Sequence, residues 1–149
     1  MEHEITLRIA LVKPPAGVDF ALQKGRGSIY EIVNKQRSQG RDLRFEFPVN
    51  VKGDRKAASP QFAGPFVQGP TQERFIYIDI GTAAGQFDSC WSRRLKIPLR
   101  GITWDSIDRL IADPKSVLET SVPGTGRDGG PTCATVKPFD GWRLSKQED

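Results

Sequence analysis

Residues 43–51 read "LRFEFPVNV". In an extended chain Leu43, Phe45, Phe47, Val49 and Val51 share one face and Arg44, Glu46, Pro48 and Asn50 the other, because successive side chains of a strand point to opposite sides. A period of two sustained over the whole stretch marks a half-buried β-strand and does not suit a helix. Pro48 lacks an N–H for the ladder, which places the strand at an edge or at a bulge.

The same alternation recurs on both sides of this stretch. "ITLRIALV" (5–12) puts Ile5, Leu7, Ile9 and Leu11 together, and "VDFALQ" does so with Val18, Phe20 and Leu22. "RFIYIDI" (74–80) is apolar on both faces and reads as a central strand, and "RLKIPL" (94–99) turns Leu95, Ile97 and Leu99 inward. "TCATVKPFDGWRL" (132–144) reads as a hairpin around Asp140-Gly141. "SIYEIVNKQRS" (28–38) carries two signals: Ser28 and Glu31 have capping-box spacing, while its β-branched residues favour a strand, toward which the balance leans.

One helix is well signalled at residues 104–112. Thr103 is the N-cap, Ile102 and Ile107 form a hydrophobic staple, and Asp113-Pro114 ends the run. Trp104, Ile107, Leu110 and Ile111 make its apolar face. The expected fold is mainly β, an antiparallel β-sandwich or partly open barrel with this one short helix. Residues 1–149 form a single domain, with mobile loops near 52–65 and 122–131 and a short polar C-terminal tail.

Composition narrows the function. Hydrophobic residues are 37% and charged residues 27%, an ordinary balance for a soluble chain. No apolar run approaches the roughly 18 residues of a membrane helix. Arg8 interrupts the first apolar run, which lacks a basic leader, so the expected compartment is the cytoplasm. Net charge is +4, which permits an anionic partner. The only histidine is His3. Triads that need histidine, and most zinc or iron ligand sets, are therefore not expected, and no metal or cofactor is called for. Cys90 and Cys133 stand 43 positions apart, outside any C-x-x-C pair, and read as reduced small hydrophobes.

Three Gly-containing segments are the candidate site. "QKGRGS" (23–28) offers Lys24 and Arg26 beside two glycines, a turn whose backbone N–H groups can cradle an anion. "GTAAGQ" (81–86) follows a strand and allows close backbone approach at Gly81, Thr82, Gly85 and Gln86. Trp91 and Arg93 share a face of "WSRR" and suit a planar or anionic ligand. "GTGRDG" (124–129) matches a dinucleotide fingerprint in letters alone, since no helix follows it. Asp79, in an apolar strand, calls for an arginine partner, with Arg93 or Arg94 the nearest.

"GVDFALQKGRGS" (17–28), "LRFEF" (43–47), "GPFVQGP" (64–70), "RFIYIDIGTAAGQ" (74–86) and "WSRRLKIPL" (91–99) together resemble a family of uncharacterised bacterial proteins, a domain of unknown function without assigned activity. The resemblance implies a single-domain bacterial protein and transfers no catalytic residues.

The expected function is non-catalytic binding of a small anionic ligand, with no membrane and no nucleic acid as partner. One alternative is a homo-oligomeric or partner-binding domain that uses edge strand 43–51. The other is a histidine-independent enzyme using carboxylates or Cys90. The oligomeric state is open.

Overall fold

The computed structural model describes residues 2–14, 16–26, 29–53, 56, 60–68, 74–80, 94–123, 134–135 and 141–146. Its organising unit is a long, bent β-ribbon. Strands β1 (Glu2–Val12) and β4 (Leu43–Lys52) pair antiparallel from Glu2↔Lys52 to Leu11↔Leu43. Beyond Leu11 and Leu43 both chains turn a corner and pair again as β2 (Asp19–Arg26) and β3 (Ile29–Arg37), starting at Asp19↔Arg37. The β1–β4 half lies in one sheet and the β2–β3 half in the other. Residues 29–37 are thus a strand, and the capping-box spacing at Ser28 does not start a helix.

The corner is held by Ser38. Its N–H donates to the Val18 carbonyl and its carbonyl accepts from Gly17 N–H, each at 2.8 Å. Its hydroxyl donates to the Pro14 carbonyl at 3.2 Å and accepts from Gly40 N–H at 3.1 Å. The side chain is fully buried. Gly17 and Gly40 take positive φ (79° and 85°), which a residue without Cβ adopts at little steric cost.

The first sheet runs β11-β9-β1-β4-β5, with β5 at Gln61–Ala63, β9 at Ser116–Pro123 and β11 at Arg143–Lys146. The second runs β10-β8-β7-β2-β3, with β7 at Phe75–Ile80, β8 at Arg94–Pro98 and β10 at Ala134–Thr135; β6 (Val67–Gln68) also pairs with β7. The inward residues meet as the alternation requires: Leu7, Ile9 and Phe45 from the first sheet, Phe20, Ile76 and Ile97 from the second, all fully buried. "RFIYIDI" is central, flanked by β8 and β2.

Helix α1 (Trp104–Ala112) carries the chain from β8 in the second sheet to β9 in the first and packs against β1, β9 and β11. Thr103 Oγ1 accepts from Ser106 N–H at 3.2 Å, as an N-cap should. Ile107 and Leu110 enter the core, whereas Ile111 is exposed.

Three features depart from the sequence reading. The sandwich is mixed: β9 runs parallel to β1, and β10 parallel to β8. Crossing through α1 brings the chain into the first sheet in the same direction as β1, a route that local turn signals do not encode. Residues 132–144 do not form a hairpin, because β10 joins the second sheet and β11 pairs with β9 in the first. Gly141 does take the positive φ (87°) of a turn residue, but the chain after it has a better partner in β9. Third, β5 takes residues 61–63 out of the stretch read as a loop.

Candidate functional site

The outer face of the second sheet carries a distinct set of residues. Ile76 and Ile78 of β7 point into the core, so Phe75 and Tyr77 face outward; Lys96, between buried Leu95 and Ile97, does the same. Tyr77 stands opposite Lys96 in the ladder. The Lys96 ammonium lies 4.6 Å from the Phe75 ring centre, a cation–π contact. On β2 the outward residues Asp19, Ala21 and Gln23 are also buried, so this strand is enclosed on both faces. Asp19 is satisfied by Arg37, whose Nε lies 3.1 Å from its carboxylate. Lys35, opposite Ala21, is exposed.

Of the candidate residues named from sequence, Lys24 and Arg26 fall on a described strand of this sheet. Lys24 is half-buried on β2, and Arg26 ends that strand. Gly81, Thr82, Gly85, Gln86, Trp91 and Arg93 lie outside the described residues, as do Cys90, Cys133 and the 124–129 stretch. The residues that bracket 81–93 are placed: Ile80 ends β7 beside Phe20 of β2, and Arg94 opens β8 directly opposite Asp79. Asp79 is also level with Ala21. Lys24 and Arg26 lie three and five residues further along β2, about 10 and 17 Å at the strand rise.

A second polar constellation was not legible in the sequence. Arg8, read only as a break in an apolar run, is 3% exposed and lies between two glutamates. Register sets it opposite Glu46 of β4 and Glu119 of β9. Its Nε donates to Glu119, its Nη1 to Glu46 Oε1 at 3.2 Å and the Lys146 carbonyl at 3.1 Å, and its Nη2 to Ser145 Oγ at 2.8 Å. Burial works to lower the guanidinium pKa. Glu119, then Glu46, outweigh it through hydrogen bonds and charge and hold it above the ordinary value. The sequence shows only an arginine at the polar position of an alternating strand; the glutamates that meet it are 38 and 111 residues away. Four of the five N–H donors of Arg8 are engaged inside the protein, so the cluster ties strands together and leaves little for an external anion.

Elsewhere, the buried atoms His3 Nε2 and Thr120 Oγ1 have no hydrogen-bond partner among the described residues. His3 stands opposite Val51 and Thr120 opposite Ile9, some six residues or about 20 Å apart along β1, so they do not form one site. Among the described residues no three His, Cys, Asp or Glu side chains are placed to hold a metal ion, and no helix is long and apolar enough to cross a membrane.

These features define a two-sheet β-sandwich domain with an enclosed, partly basic sheet face. The chain belongs to a family of unknown function, DUF5990, whose model matches residues 5–145. Comparison with the curated proteins and with the solved structures returns no match.

Proposed function

We propose that this domain is a non-catalytic binding module for a small anionic ligand, seated on the outer face of the second sheet where residues 81–93 leave β7 and rejoin β8. The observation that supports it best is the composition of that face: Lys96 over Phe75, Tyr77 beside it, and the enclosed Gln23 of β2 in the same direction, all on paired strands. Cations on ordered strands lose little freedom on binding, and aromatic neighbours supply flat, apolar walls. Gly81, Thr82, Gly85, Gln86, Trp91 and Arg93 belong to the segment whose two ends stand at this place; Lys24, which alternates with the outward Gln23, and Arg26 lie about 10 and 17 Å further along β2.

The test is a thermal-shift screen of phosphate, nucleotides, sugar phosphates, small carboxylates and a short single-stranded RNA at two salt concentrations. A true ligand at 100 times its Kd adds about 2.7 kcal/mol. A small anion should retain most of its shift at the higher salt, whereas binding through many phosphates falls steeply. Unchanged affinity in a Lys24→Ala, Arg93→Ala, Lys96→Ala triple variant would refute the reading.

A second reading, self-association or protein binding, rests on the edge of β4. Among the described residues β5 pairs only with Asn50–Lys52, which leaves 43–49 without a strand on that side. Gln36 Nε2 donates to the Arg44 carbonyl at 2.8 Å and occupies one of its acceptors. Light scattering over a concentration series separates this reading from the first.

A further inference from the structure

We propose that β11 is a strap that opens as a unit from the edge of the first sheet, with Arg8 as its latch. The strand is four residues long, among the described residues pairs only with β9, and three of its four residues are exposed, Leu144 among them at 39%. Apolar burial therefore contributes little to holding it. Beyond its backbone ladder with β9, side-chain links hold it: Arg8 to Ser145 Oγ and the Lys146 carbonyl, Lys146 to Asp113 at the end of α1, and Arg143 to Ser121 Oγ at 3.2 Å.

The latch is asymmetric, and this makes separate opening feasible. Arg8 binds β11 with two of its hydrogen bonds and the carboxylates of Glu119 and Glu46 with the other two. When β11 leaves, the guanidinium keeps both carboxylates, so the opened state contains no unpaired buried charge, the feature that makes breaking a buried pair so costly. The moving unit has a defined start. Trp142, immediately before β11, packs on the core and donates from Nε1 to the Pro98 carbonyl at 3.0 Å, so the chain is anchored at that point. Opening uncovers the backbone edge of β9 at Ser116–Glu119, which β11 otherwise pairs. Such sub-global openings proceed without global unfolding.

Native-state hydrogen exchange on the full chain tests this. The hydrogen-bonded amides of β11 should exchange with one common rate, at least 100-fold faster than those of β1 and β4. Ser145→Ala, which removes one latch bond at a half-exposed residue, should speed β11 exchange several-fold and leave β4 unchanged. Arg8→Lys, which keeps the charge but not the fork of donors, should speed it further. Any of three results overturns the proposal: β11 amides as protected as those of β1 and β4, rates that rise residue by residue toward Lys146 as simple fraying would give, or a Ser145→Ala effect spread equally over both strands. No ligand enters the experiment, so its outcome is independent of the binding reading.

Discussion

Ser38→Ala tests whether the bent ribbon depends on its corner. The change removes two hydrogen bonds of the hydroxyl, one donated to the Pro14 carbonyl and one accepted from Gly40 N–H. A neutral hydrogen bond contributes about 1 kcal/mol net, and a buried acceptor left unpaired costs about 1–3 kcal/mol. Pro14 is buried, so its carbonyl has no water to turn to; Gly40 is exposed, so its N–H does. The penalty therefore falls almost wholly on the Pro14 side, and the expected loss is about 2–3 kcal/mol. For a chain of this size 1 kcal/mol moves Tm by about 2–4 °C, so the shift should be about 4–12 °C downward. Urea unfolding followed by intrinsic fluorescence measures it, with an unchanged m-value showing that stability rather than compactness has moved. A loss below about 0.5 kcal/mol, the range of an ordinary surface change, would refute the assignment of Ser38 as the corner's fastener.

Two further outcomes follow from the same geometry. Gly40→Ala should destabilise by about 1 kcal/mol, because φ is +85° and the nearest contact of an added Cβ, Ala16 Cβ at 3.8 Å, is ordinary; the penalty is conformational. Gly40→Asn should recover part of it in the same urea assay, since Asn tolerates left-handed backbone. The Asp113 carboxyl is held below its ordinary pKa by hydrogen bonds from Lys146 first, then Ser116 and the Lys115 N–H. Its contribution to stability is therefore present above the unfolded carboxylate pKa and is lost as pH falls through the lower, folded value. Lys146→Ala should raise the Asp113 pKa toward the ordinary range in an NMR titration, and an unmoved titration would contradict the pairing.

Much of the candidate face was legible as individual residues and not as a place. Lys24 is visible as composition, but its distance along β2 from the end of β7 depends on which strand β7 pairs with. Within "RLKIPL" Lys96 is one polar residue of an ordinary alternating strand; only the β7–β8 register sets it over Phe75 and beside Tyr77. Asp79 and Arg94 occupy paired positions of the β7–β8 ladder, a register that spacing in the sequence does not give.

What the sequence determined by itself is whatever rests on near neighbours. Alternation at 43–51 and 5–12 set the strands and their core faces, and Thr103 with Asp113 set the ends of the helix, because pleat and capping act over two to four residues. What only the tertiary structure decided rests on partners far apart in the chain. The parallel pairing of β1 with β9, the separate sheets of β10 and β11, and the burial of Arg8 between Glu46 and Glu119 are of this kind. Arg8 and Glu119 are 111 residues apart. An arginine at that position is an interruption in a strand until the neighbouring strands bring two carboxylates to it, and then it becomes the charge that joins them.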